Sequence, residues 1–248
     1  MTERSMPEKW TDGADIARFI DHTLLKPFAT SEDIAKLCAE AAQYRFRSVC
    51  VNGSWVSVCK ELLAETDVGI SAVVGFPLGA SATRVKAHEA AAAVDDGATE
   101  IDMVMPIGAV LEGRYGVLMY DVSAVVRAVE GAAIVKVILE TGYLDDVQKA
   151  EACRVAEAAG AHYVKTSTGF GAGGATVEDV LLMRGAVTSA IGVKASGGIR
   201  DAETAVRMLR AGANRLGTSA GVAIVSGRSS GAAPASSRGE GPEASLQY

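Results

Sequence analysis

"AAIVKVILETGYLDDVQKAEACRVAEAAGAHYVKTSTGFG", residues 132–171, carries the pattern that decides the fold. Residues 134–139 form an apolar run rich in β-branched side chains and too short for a helix, which predicts a buried strand. The next segment places apolar residues at helical spacing and stops at Gly160, because glycine takes φ > 0 without strain. A second short run, 163–165, then enters a turn rich in Gly, Thr and Ser. Strand, helix and strand in this order make a parallel pair joined by a crossover. Both strands carry a lysine among apolar residues, Lys136 and Lys165, and "GVKASGG" (192–198) adds Lys194. A buried ammonium must find a partner or give up its proton. Three in one architecture need a reason.

The same unit recurs in both directions along the chain. "FIDHTLL" (19–25) precedes "SEDIAKLCAEAAQY" (31–44), with Ser31 the expected N-cap. "RSVCVN" (47–52) precedes "GSWVSVCKELLAE", and "VGISAVVGF" (68–76) precedes "TRVKAHEAAAAVDDG". "EIDMVM" (100–105) leads into one long segment from Ile107 to about Glu130. "HYVKTS" is followed by "TVEDVLLMRGAV", "GVKAS" by "DAETAVRMLRAG", and "NRLGTS" by "AGVAIV". These are eight strand–helix units. Their strands are apolar without clean alternation, as parallel strands covered by helices are. An open doubly wound sheet is the competing fold, but no G-x-G-x-x-G follows the first strand. The expected fold is a closed (β/α)8 TIM barrel over residues 15–225. Residues 1–14 read as a polar extension, and 226–248 as a flexible tail whose Gly/Ser/Ala/Pro composition cannot bury a core.

Composition narrows the function. A net charge of −6 with no basic stripe argues against a nucleic-acid surface. No apolar stretch is long enough to cross a membrane. The four cysteines lack CxxC spacing and follow no secretory leader, so reduced thiols in the cytoplasm are expected. The three histidines lack metal-ligand spacing, so no metal site is expected.

In such a barrel the site forms at the C-terminal ends of the strands. Asp102 and the three lysines hold comparable places on strands four to seven and should converge there. Two ammonium groups ~5 Å apart at an effective dielectric near 20 repel by about 3 kcal/mol. That corresponds to roughly two pKa units and moves one lysine toward neutrality. A free amine in a dry pocket condenses with a carbonyl to a Schiff base, with Asp102 and Lys194 placed to move protons. Alternatively Asp102, Glu100 and Glu140 simply neutralise the lysines in internal salt bridges. "ASGGIRD" (195–201) and "LGTSAG" (216–221) follow strands seven and eight, the usual phosphate site of these barrels. Gly197, Gly198, Gly217, Thr218 and Ser219 are the candidate phosphate contacts.

The ordered series "IDHTLLKP", "SVCVN", "VVGFPLGA", "EIDMVMPIGAV", "KVILETGYL", "VKTSTGFG", "VKASGGIR" and "RLGTSAG" resembles the deoxyribose-phosphate aldolase family over about residues 16–225. The resemblance implies a class I aldolase on a TIM barrel, without metal or organic cofactor. Its reaction is reversible cleavage of 2-deoxy-D-ribose 5-phosphate to D-glyceraldehyde 3-phosphate and acetaldehyde, in deoxynucleoside breakdown. It further implies a homodimer or homotetramer. Carried onto this chain, it makes Lys165 the imine-forming residue, Lys194 the lysine that lowers its pKa, and Asp102 the proton carrier acting through water. Asp21 and Thr23 become hydroxyl-binding groups at the top of strand one. Thr168 and Gly169 become substrate contacts, and Lys136 a support for Asp102. Phe170 stands where some relatives place a phosphate-binding lysine. Cys50 is a candidate for the cavity wall or a small core residue. Tyr248 is a candidate proton donor returning to the mouth, or an incidental terminal residue. Two other classes remain open: a phosphosugar isomerase working with carboxylates, and a catalytically silent phosphosugar-binding barrel.

Overall fold

The computed structural model describes residues 16–227. Eight parallel strands close into a barrel in chain order. They are β1 (Ile20–Leu24), β2 (Ser48–Val51), β3 (Gly69–Val74), β4 (Glu100–Val104), β5 (Ile134–Ile138), β6 (Tyr163–Lys165), β7 (Gly192–Ser196) and β8 (Arg215–Thr218). The closing pair is β1 with β8, in which Asp21 faces Gly217. Outside lie α1 (Ser31–Tyr44), α2 (Val56–Leu62), α3 (Thr83–Asp96), α4 (Ile107–Leu111), α5 (Tyr115–Val129), α6 (Asp146–Ala158), α7 (Val177–Ala186), α8 (Ala202–Arg210) and α9 (Gly221–Val225). Among the described residues, no helix is long and apolar enough to cross a membrane.

The strands' two faces are of opposite character. Ile101, Met103, Val135, Val137, Val193 and Ala195 join the apolar core beneath the helices. The alternate residues Glu100, Asp102, Lys136 and Lys194 are just as buried, and Lys194 on β7 reaches Asp102 on β4 across non-adjacent strands. Only the inside of the barrel allows that. A barrel interior is ordinarily packed with branched aliphatic side chains; this one holds charges. At its lower end Arg215 lies over the Tyr163 ring, 5.4 Å from the centroid. A Cβ on Gly192 would come within 2.1 Å of that ring, so β7 must begin with glycine there.

Local chemistry moves some boundaries. The N-cap of α1 is Thr30, not Ser31: its hydroxyl accepts from the Asp33 N–H, while its own N–H donates to the Asp33 carboxylate at 2.9 Å. The segment expected as one helix from Ile107 to Glu130 is two, broken at Gly113 with φ +71°. Gly160, with φ +91°, follows the end of α6 as its sequence position demands. The expected terminal segments and Tyr248 lie almost wholly outside the described residues.

Candidate active site

Asp102 is the centre of the site. It is fully buried on β4, and its carboxylate accepts from three lysines on three other strands. Lys136 Nζ stands 2.6 Å from Oδ1, and Lys165 and Lys194 stand 2.8 and 2.6 Å from Oδ2. Ser71 Oγ donates to Oδ1 at 2.9 Å. Burial alone would raise the Asp102 pKa, but three adjacent ammonium groups hold it well below the usual carboxylate range.

The three lysines share a carboxylate and differ in everything else. Lys194 also meets Asp21 at 2.5 Å, and Lys136 also meets Glu100 at 2.6 Å. Burial disfavours both charges, yet the paired carboxylates overcome it and raise both pKa values. Lys165 has Asp102 alone, and its pKa is lowered. Burial is the largest cause, Lys194 adds repulsion, and Asp102 opposes without prevailing. Like-charge repulsion thus has the expected sign, but desolvation outweighs it.

Above Lys165 lies a pocket of about 260 Å³ at the C-terminal mouth. Lys165 lines its floor, and Thr23, Thr168, Gly169, Gly197, Gly198, Gly217, Thr218 and Ser219 line its walls. Gly169, Gly197 and Gly198 all have φ between +81° and +91°, so the loops turn with backbone facing the cavity. Donation from Thr218 Oγ1 to the Ile199 carbonyl at 2.6 Å ties the eighth loop to the seventh. A Cβ on Gly217 would come within 2.9 Å of Ser196 Cβ and 3.1 Å of Lys194 Cε, so the strand passes too close for a side chain.

The family model for DeoC/LacD family aldolases matches residues 16–232. The chain belongs to that family. Deoxyribose-phosphate aldolase of Thermococcus gammatolerans is 57% identical over 218 residues, covering 87% of this chain and 97% of that one. The corresponding protein of Halalkalibacterium halodurans is 54% identical over 216 residues, covering 87% and 96%. Among solved structures, a putative deoxyribose-phosphate aldolase from Coccidioides immitis superposes with a TM-score of 0.85 at 46% identity, over 87% of this chain and 86% of that one. The deoxyribose phosphate aldolase of Aeropyrum pernix, described as a unique tetramer, gives 0.82 at 36% identity, over 88% and 93%. This DeoC/LacD member is therefore a carbon–carbon lyase on a (β/α)8 barrel.

Not every expected residue reaches the pocket. Asp21 is fully buried beneath it, its carboxylate taken by Lys194, by Arg215 at 2.6 Å and by Ser48 at 2.7 Å. The expected hydroxyl-binding role at the mouth does not fit that position. The Thr23 hydroxyl borders the pocket but donates to the Asp21 carbonyl at 2.9 Å, leaving it only acceptor capacity. The Thr168 hydroxyl donates to Glu140, whose backbone sits at φ +56° to reach it. Glu140 therefore braces the loop and neutralises none of the three lysines, whereas Glu100 does pair with Lys136. Cys50 is fully buried with Leu25, Val73 and Phe76. Burial, aided by Asp102, raises its thiol pKa. Phe170 lies edge-on to Phe76 at 5.4 Å and carries no charge to the pocket. Lys26 and Arg200 do line it, and sequence reasoning passed over both. Their signal was position: each follows a strand end in a motif already singled out. Among the described residues, no cluster of His, Cys, Asp and Glu is placed to hold a metal ion.

Proposed function

We propose that the chain cleaves 2-deoxy-D-ribose 5-phosphate reversibly to D-glyceraldehyde 3-phosphate and acetaldehyde through a Schiff base on Lys165. One observation carries this: of the three buried lysines only Lys165 borders the pocket, and only its pKa is lowered. The neutral amine adds to the C1 aldehyde of the open-chain sugar and loses water to give a protonated imine. A base takes the C3 hydroxyl proton, the C2–C3 electron pair becomes the C1=C2 double bond as the C1=N π pair moves onto nitrogen, and glyceraldehyde phosphate leaves. The remaining enamine is protonated at C2 and hydrolysed to acetaldehyde, freeing Lys165. Asp102, 2.8 Å from Lys165, and Lys194 relay these protons, and Lys136 keeps Asp102 ionised. The backbone of Gly197, Gly198, Gly217 and Gly169, with Thr218 and Ser219, surrounds the phosphate. Lys26 and Arg200 supply the positive charge that Phe170 does not.

The names of the close relatives support the same substrate. A homodimer or homotetramer acting in the cytoplasm, in deoxyribose phosphate catabolism, completes the proposal. The four free thiols, all buried, are consistent with a reducing compartment. Borohydride with acetaldehyde should inactivate the protein and leave an ethyl group on Lys165 by peptide mapping. A label on Lys136 or Lys194 instead would overturn the assignment. A carboxylate-driven isomerase or a silent binding barrel would gain no label at all.

A further inference from the structure

The charges inside the barrel form a closed figure. Asp21 meets Lys194 at 2.5 Å, Lys194 meets Asp102 at 2.6 Å, and Asp102 meets Lys136 at 2.6 Å. Lys136 meets Glu100 at 2.6 Å, Glu100 meets Arg215 at 3.0 Å, and Arg215 returns to Asp21 at 2.6 Å. Acid and base alternate around this ring of six, so three negative charges cancel three positive ones. Every member is at most 3% exposed. Each acid touches at least two bases of the ring and each base at least two acids, and Lys136 also stands 3.9 Å from Asp21 across it. Lys165 stands outside the ring, attached only through Asp102.

We propose that Glu100 and Arg215, on the side of the ring away from the pocket, are positioning residues for the aldolase reaction: they complete a neutral ring and leave Lys165, among the described residues, as the one buried cation without a charge of its own to balance it. The inference rests on the proposed imine chemistry at Lys165. Low-dielectric burial penalises net charge far more than paired charge, so the surplus proton is the one the interior sheds. Deleting a charge anywhere in the ring therefore changes the balance that Lys165 experiences. The groups acting directly on Lys165 are Asp102 from β4, Lys194 from β7 and Cys50 from β2; beyond them in the ring stand Asp21 from β1, Glu100 from β4, Lys136 from β5 and Arg215 from β8. At the mouth Lys26 and Arg200 share its pocket, and Glu140 holds the adjoining loop. Arg47 stands 4.0 Å from Glu100, but at 57% exposure solvent screens it.

Opposite signs test this. Glu100→Gln leaves the ring positive, and the acidic limb of the kcat/KM profile should move down by about one pH unit. That is the size expected for a unit charge roughly 10 Å away at an effective dielectric near 20. Arg215→Met leaves the ring negative, and the limb should move up by a similar amount. The double variant restores neutrality and should return the limb to within about 0.3 unit of wild type. A purely structural role would lower activity without opposed shifts. Limbs that stay put, or move together, overturn the proposal.

A second measurement needs no ring variant to fold. In wild-type protein with isotope-labelled lysine side chains, one buried ammonium signal, missing in Lys165→Met, should titrate below the ordinary lysine range. Lys136 and Lys194 should remain charged throughout. Two or more buried lysines titrating below that range, or none, would refute the neutral ring. If the wild type neither cleaves the phosphosugar nor is trapped by borohydride, the proposed function fails, while the titration still judges the ring.

Discussion

Lys86 and Lys165 are both buried lysines beside a carboxylate, and they have opposite fates. Lys86, on α3, is fully buried under Gly75 between α3 and α5. It donates to Asp121 at 2.7 Å and to the Val104 carbonyl at 2.8 Å. Among the described residues Asp121 has no second cation and takes only the Thr83 hydroxyl besides, at 2.7 Å. Lys165 must share Asp102 with two other lysines. Burial alone therefore does not make a lysine reactive. Whether the lysine has a carboxylate beyond the shared Asp102 decides.

The largest expected effect breaks the comparison at the shared-carboxylate end. Lys165→Met should lower cleavage by at least about a thousandfold, the scale of removing a covalent nucleophile. It should cost little stability, because Asp102 keeps two lysines. Lys86→Met should behave in the reverse way. Asp121 is left buried and unpaired, so urea unfolding should show a loss of about 3–5 kcal/mol, while the folded fraction is still trapped by borohydride. Loss of trapping in folded Lys86→Met protein would end the distinction.

Lys194→Met removes a like charge from beside Lys165, while Asp102 keeps Lys136 and Lys165 and Asp21 keeps Arg215. Turnover should fall by about 10²–10⁴. The acidic limb of its pH profile should move up, since the surviving amine holds its proton more firmly. A limb that stays in place would assign the whole Lys165 shift to desolvation.

The pH dependence of stability gives a smaller effect. Lys165 binds its proton less tightly folded than unfolded, so stability falls as pH drops from about 10 through its lowered pKa. Urea midpoints at pH 7 and 9.5 should show this slope in wild type and not in Lys165→Met. Asp21 and Asp102 act at the other end, because Lys194, Arg215 and Lys136 more than offset the burial that would raise Asp21. Their stabilisation is complete above about pH 4 and is lost only as pH falls through their depressed values. Cys50→Met adds volume at a fully buried position and should cost about 1–3 kcal/mol. It should also slow inactivation by α,β-unsaturated aldehydes; equal inactivation would place the Cys50 thiol out of their reach.

The barrel and the convergence of Asp102 with three lysines were legible because strand residues two apart share a face, and short runs between helical segments mark strands. The ring was not. Glu100 and Asp102 stand two apart on β4, so their common direction was readable, but Glu100 was weighed only as a neutraliser. Arg215 in "RLGTSAG" was read for its glycine and hydroxyls alone, although its position two before Gly217 puts it on the inner face. Asp21 was placed too high because a strand position gives direction and not depth. Lys86 lies in a helix whose charged residues look solvated by pattern, and only packing against α5 buries it. Glycine broke the long segment at Gly113, a stop that continuous apolar spacing on both sides concealed.

The ring also limits how such a sequence can change. Apart from exchanges of like charge, a library that varies one of its six positions at a time tests charge-unbalanced interiors, and functional members should be scarce in it. Exchanges made in acid–base pairs keep the interior neutral at every step. Surviving variants of this barrel should therefore show substitutions at Glu100 and Arg215 arriving together, while the glycine-lined loops above them accept change one residue at a time wherever φ permits a side chain.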